Sequence, residues 1–153
     1  MQNLAAELEN IVDAAEASLR NMTDQESRLA ALAGGWSRKQ LLGHLIDSAS
    51  NNHQRFVRAS LQDSLEFPAY DQDGWQRIEA ADQAPWPTLV ALWAAYNRYL
   101  AHIIRHLPSA KLDVPCRIGD SQPVTLRFLA TDYLGHLKHH LEQIALHAAG
   151  AAS

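Results

Sequence analysis

Four of the chain's eight histidines fall within one stretch, DYLGHLKHHLEQIALH, residues 132–147. Residues four apart on an α-helix share a face, with Cβ atoms about 6 Å apart, which suits two imidazoles sharing one metal ion. His136 and His140 have that spacing, and so do His102 and His106. His136 with His139, and His140 with His147, are looser pairs. At about 100° per residue, His140 falls within the apolar stripe of its helix and His136 at the border, whereas His139 points to solvent. His102 and His106 lie roughly opposite the apolar face of their own helix and read as a surface pair.

A third ligand should come from another helix. His44 heads a polar stripe, His44, Ser48, Asn51 and Arg55, running beside the apolar Leu41, Leu45, Ala49 and Phe56. Periodicity alone leaves two readings of this stripe, a solvated face or the inner wall of a pocket. His53 falls outside both stripes and is placed at the surface. Three neutral imidazoles on an inner wall would hold Zn²⁺ or a similar borderline ion and leave a position open, as catalytic sites do; structural zinc sites are closed by four ligands.

Four segments with helical periodicity must position these residues. The first runs from Asn3 to about Met22, with Leu4, Leu8, Ile11, Val12, Ala15 and Leu19 on one face. The second follows GGWSRKQLL, where Ser37 is a fitting N-cap, Gln40 its capping-box partner and Trp36 a staple for Leu41; it extends to about Leu61. The third begins after PWPT and ends at Pro108, burying Leu89, Leu92, Trp93, Tyr96, Leu100, Ile103 and Leu107. The fourth runs from about Val124 to Gly150 and buries Leu126, Leu129, Tyr133, Leu137, Leu141 and Ile144. The connection 62–87 is acidic and aromatic, with room for one short helix after Asp71; the connection 109–123 is rich in turn residues. No strand is expected. The expected fold is all-α, a four-helix bundle whose long connections permit crossovers.

The bulk properties narrow the function. A length of 153 residues fits one domain, 1–153, with its own core. The net charge is −4, and Lys and Arg form no run, which argues against binding a nucleic-acid backbone. No window has the apolar length of a membrane span. The N-terminal stretch is an acidic amphipathic helix and not a signal peptide. Cys116 is the single cysteine, which excludes an intrachain disulfide, suits a cytoplasmic location and reads most simply as a buried apolar residue.

Taken together, GGWSRKQLLGHLIDSASNNHQRF and the later HLKHHLEQI resemble the DinB/YfiT-like superfamily, whose members carry one metal-binding His after a Trp-Ser helix start and two more in a pattern like HxxxHxxQI. FPAYDQDGW is similar to a loop in one branch of that family. The resemblance spans nearly the whole chain. It implies a four-helix bundle, often a homodimer, with a divalent metal, commonly zinc or nickel, on His44, His136 and His140. It also implies a small-molecule substrate and enzymes that transfer a low-molecular-weight thiol to an electrophile, with a metal-dependent hydrolase as the alternative.

On that reading a coordinated thiol or water, its pKa lowered by the metal, is the nucleophile, and no side chain need supply one. A non-catalytic metal-binding or interaction protein is the rival from another class. Ser48, Asn51, Arg55, Tyr70 and Trp75 are candidate substrate contacts. Arg55 either holds a carboxylate through paired hydrogen bonds or pairs at the surface with Asp63 or Glu66. Asp47, Asp132 and Gln143 lie one turn from a candidate ligand and are candidates to orient the imidazoles.

Overall fold

The computed structural model describes residues 1–31 and 35–146. The expected Gly150 helix stop and the His140–His147 pair lie outside them. Four long helices carry the fold: α1 (Gln2–Asn21), α3 (Arg38–Leu61), α5 (Trp86–Arg105) and α6 (Leu126–Leu146). Two shorter ones, α2 (Asp24–Ser27) and α4 (Gln72–Glu79), sit in the connections. α4 is the short helix expected after Asp71, and Asp71 caps it by accepting from the Gly74 amide at 3.0 Å.

The start of α3 is built as the sequence indicates. Ser37 Oγ accepts from the Gln40 amide at 3.1 Å, and Gln40 Oε1 accepts from the Ser37 amide at 2.9 Å. Such a reciprocal cap satisfies two amides that the helix leaves unpaired. Thr23 and Glu26 form a second box at α2, which was not anticipated. α5 starts earlier than expected, at Trp86 inside the PWPT motif, because proline is tolerated in a first helical turn.

α1 packs chiefly against α5 and α6, and α3 packs against the same two helices. The first and second long helices are therefore diagonal partners, not neighbours. An up-and-down bundle with short loops cannot produce that order; the long connections supply the crossovers. Among the described residues, thirty-one buried apolar side chains form one core cluster that includes Leu8, Phe56, Trp93, Leu100 and Leu137. Leu92, expected within it, is 49% exposed, so the buried stripe of α5 is narrower than its hydrophobicity suggests.

The expectation of no strand is corrected. β1 (Leu65–Phe67) pairs in parallel with β2 (Pro115–Ile118), and β2 pairs antiparallel with β3 (Val124–Thr125). Val124 and Thr125, expected to open the last helix, belong to this sheet. It stitches the two long connections together, with Cys116 buried opposite Leu65 and Gly119 donating to the Phe67 carbonyl at 2.9 Å. Segments of two to four residues are too short for alternation to show in a sequence. The parallel pair also joins residues about fifty positions apart, a contact with no local signature. The consequence for function is direct: β1 delivers the chain to Tyr70 over the inner face of α3.

Two buried cations tie the start of α3 to its neighbours, Arg38 to α6 and Lys39 to α2. Arg38 donates to the Ile144 carbonyl of α6 at 3.2 Å. Lys39, with no exposed surface, donates to Asp24 at 2.6 Å and holds that carboxyl down at about 2. This juxtaposition brings the second turn of α3 against the C-terminal half of α6.

Candidate metal centre

His44 from α3 and His136 and His140 from α6 converge. Each offers one ring nitrogen, and the three lie within 4.8 Å of one another. His44 Nε2 stands 3.1 Å from His136 Nε2, and His140 Nε2 stands 3.1 Å from the same atom. The opposite ring nitrogens each have a partner. Gln143 Oε1 lies 2.8 Å from His140 Nδ1, Ser48 Oγ 3.4 Å from His136 Nδ1, and Tyr70 Oη 3.3 Å from His44 Nδ1. With the proton on Nδ1, stabilised from outside, the Nε2 lone pairs point inward at one another.

Three lone pairs facing each other repel unless something electropositive sits among them. The donor set also suits such an ion chemically. Burial and the mutual proximity of the rings push His44 and His136 down to about 4, and burial lowers His140 in the same direction. All three imidazoles are thus neutral near pH 7, the form that ligates metal. Nitrogen-only ligation by three histidines fits a borderline ion such as Zn²⁺ or Ni²⁺ and leaves coordination positions free.

The other candidate residues divide. Gln143 stands against His140 as expected, and its Nε2 reaches on to His139 at 3.1 Å. Asp47 makes no hydrogen bond to His44. It is buried beside Glu79 of α4, and burial with that neighbouring carboxylate pushes its carboxyl up to about 8. Tyr70 takes the place at His44 that Asp47 was expected to fill. Asp132 is exposed on the cavity rim and has no hydrogen bond to a histidine of the cluster.

A cavity of about 230 Å³ opens beside the cluster, lined by Ser48, Asn52, Arg55, Tyr70, Asp132 and His136. The polar stripe of α3 is therefore an inner wall. Asn51 belongs to its edge: Nδ2 donates to the Asp47 carbonyl at 3.0 Å, and the side chain borders the neighbouring groove shared with Trp75. Asn52, one residue on, lines the cavity instead and donates to the Ser48 carbonyl at 2.9 Å. Trp75 packs 4.9 Å from the Tyr70 ring and supports it from outside the cavity. Trp36, read only as a staple, lies 5.3 Å from the His44 ring.

The remaining histidines stay apart from this centre. His102 and His106 are an exposed pair on α5, as the helical wheel indicates. His53 is not a surface residue: it is half-buried, with Nδ1 3.1 Å from the Tyr96 hydroxyl. Cys116 is fully buried in the sheet, where burial raises its thiol pKa.

A helical bundle with diagonal first and second helices and a three-histidine centre defines a recognisable class. The family model of the DinB superfamily matches residues 7–144, and the chain belongs to that superfamily. Among curated relatives, a protein of Geobacillus thermodenitrificans is 26% identical over 141 residues, 91% of this chain and 79% of its own length. YfiT of Bacillus subtilis is 25% identical over 139 residues, covering 90% and 78%. A relative in Oceanobacillus iheyensis is 24% identical over 129 residues, covering 84% and 74%. All three are named as candidate metal-dependent hydrolases. The solved structure of YfiT superposes with a TM-score of 0.76 at 23% identity, over 92% of this chain and 83% of that one; it is described as having "an unusual four-helix bundle topology".

Proposed function

We propose that this chain is a metal-dependent enzyme acting on a small molecule, with zinc or nickel held by the Nε2 atoms of His44, His136 and His140. The observation that carries this reading is the convergence of three neutral imidazoles beside an open cavity, each with its outer nitrogen engaged. When bound, the ion would act as a Lewis acid and make a thiol or water nucleophilic at neutral pH.

The chain's own groups then orient and enclose. Gln143, Ser48 and Tyr70 fix the three rings by their outer nitrogens, Leu129 and Tyr133 give the cavity an apolar wall, and Tyr70 covers it from the β1 side. Ser48, His136 and Asp132 all line the cavity, but Ser48 Oγ meets the outer nitrogen of a candidate metal ligand and Asp132 makes no hydrogen bond to a histidine of the cluster, so on this reading the nucleophile comes from outside the protein. Transfer of a low-molecular-weight thiol to an electrophile is the leading reaction. The names of the curated relatives favour hydrolysis as the second reading. Turnover of a panel of electrophiles and esters by zinc- or nickel-loaded protein, with and without added thiol, separates them: a strict thiol requirement supports transfer, and product formation with water alone supports hydrolysis.

A further inference from the structure

Arg55 is the cavity group that the metal reading leaves unused. It lies three turns beyond His44 on the same side of α3, and helical side chains lean toward the helix N-terminus, which for Arg55 is toward Ser48 and the histidines. Its guanidinium carbon sits 5.5 Å from the centre of the Phe67 ring, supplied by β1. Its Nε is buried and lacks a hydrogen-bond partner.

The carboxylates nearest in sequence are engaged elsewhere. Asp63 accepts from Lys111 at 2.8 Å, and Glu66 pairs with Arg117 at 3.4 Å. Among the described residues no carboxylate forms an ion pair with Arg55; Asp132, on the rim of the same cavity, does not reach it. A half-buried guanidinium without a counterion is expensive unless a ligand supplies one. Its desolvation also lowers the pKa of the group from its ordinary value, though an arginine so placed remains a cation at neutral pH.

We infer that Arg55 anchors a carboxylate subsite: the cavity takes a small monocarboxylate, its acid group on the Arg55 guanidinium and its other end toward His136. The inference deepens the proposed function and rests on it for which end of the cavity is reactive. A planar carboxylate matches the guanidinium fork. A phosphate dianion matches this end of the cavity less well, because among the described lining residues Arg55 is the one cationic side chain, Asp132 stands on the rim and the chain carries a net charge of −4. Leu129 and Tyr133 provide an apolar wall for the carbon chain of the acid.

Butanoate and butanamide, equal in shape and different in charge, serve as probes. Their binding is measured by calorimetric titration of zinc-loaded protein and of protein stripped by a chelator. Butanoate is expected to bind at least about ten-fold tighter than butanamide, the scale of a charge-assisted hydrogen bond. Arg55→Gln should abolish that preference, and Arg55→Lys, which keeps the charge without the fork, should keep part of it, so a folding failure of one variant leaves the other decisive. Equal binding of the two probes overturns the inference. So does a preference that survives Arg55→Gln, because the acid would then be sitting elsewhere, as on the metal. If the protein takes up no metal while the Arg55-dependent preference persists, the metal reading fails and the carboxylate subsite stands.

Discussion

Gln143 and His140 face each other one turn apart on α6, with the amide oxygen 2.8 Å from Nδ1. A carbonyl oxygen only accepts, so the proton sits on Nδ1 and the Nε2 lone pair is turned toward His136 and His44. The same amide reaches His139 through its nitrogen, which fixes its orientation from the other side. Gln143 thereby selects the tautomer of His140 that a metal requires.

Replacing that amide with a hydrocarbon of similar size should loosen the centre without unfolding the bundle. For Gln143→Leu we expect metal affinity to fall about 10- to 100-fold, the usual effect of losing an outer partner of a ligating histidine. Competition with a chromophoric chelator reads this directly. Unchanged affinity would show that His140 needs no orienting partner.

A second prediction concerns pH. His44 and His136 are held down to about 4 by burial, against 6.5 in an unfolded chain, so below 6.5 the unfolded state takes up the protons first. Stability of the metal-free protein is then lost as pH falls from 6.5 toward 4. Asp47 acts in the opposite sense: raised from 3.8 to about 8, it is protonated in the fold and loses its contribution as pH rises toward 8. Two or more histidine protons outweigh one from Asp47 below 6.5, and above it Asp47 acts alone. Urea unfolding of metal-free protein should therefore give maximum stability near pH 6.5, falling more steeply on the acid side. A maximum at pH 8 or above would contradict the buried neutral assignment of Asp47.

The bundle core makes its own demand. Tyr133, 2% exposed, donates to Oδ1 of the fully buried Asn97, whose Nδ2 donates to the Trp93 carbonyl at 2.9 Å. Tyr133→Phe leaves that amide oxygen unpaired in the interior. A loss of about 1–3 kcal/mol follows, measurable by denaturant unfolding. A variant as stable as the parent would mean that Asn97 finds another donor.

Gly43 controls how closely the α4 segment approaches the site. A Cβ there would stand 2.7 Å from Ala81 Cβ and 3.3 Å from Gln76 Nε2, the group that ties α4 to the Gln40 carbonyl at 3.0 Å. Gly43→Ala gains helix propensity of about 1 kcal/mol. The Ala81 Cβ has no rotamer to move to and allows little relief, however, and overpacking costs typically about 1–3 kcal/mol. The expected net result is a small loss of stability with displacement of α4, visible as shifted NMR resonances of Trp75 and Tyr70. Greater stability with unshifted resonances would sink this account of the glycine.

How much of this was legible beforehand follows from the range of the interactions involved. The capping box at Ser37 and the four apolar stripes are local patterns, so the long helices emerged within a few residues of their described bounds, the expected stop at Gly150 lying outside the described residues. His136 and His140 share a helix face and their pairing is equally local; uniting them with His44 needed the family resemblance, because a polar stripe has the same period whether it faces solvent or a cavity. What stayed hidden was tertiary. The sheet joins short segments about fifty residues apart, Lys39 is buried because Asp24 meets it across a loop, and Tyr70 reaches His44 only because β1 carries it there. Asp47 was misjudged for the same reason, since Glu79, its actual neighbour, lies on a helix that packs against α3 from outside the bundle.

The most direct measurement is the metal content of untagged protein by mass spectrometry, beside a His136→Ala, His140→Ala double variant. The account predicts about one equivalent of zinc or nickel in the parent and essentially none in the variant, since two of three ligands are gone. A parent that stays empty after zinc or nickel is offered, or a variant that retains a full equivalent, would contradict the three-histidine centre.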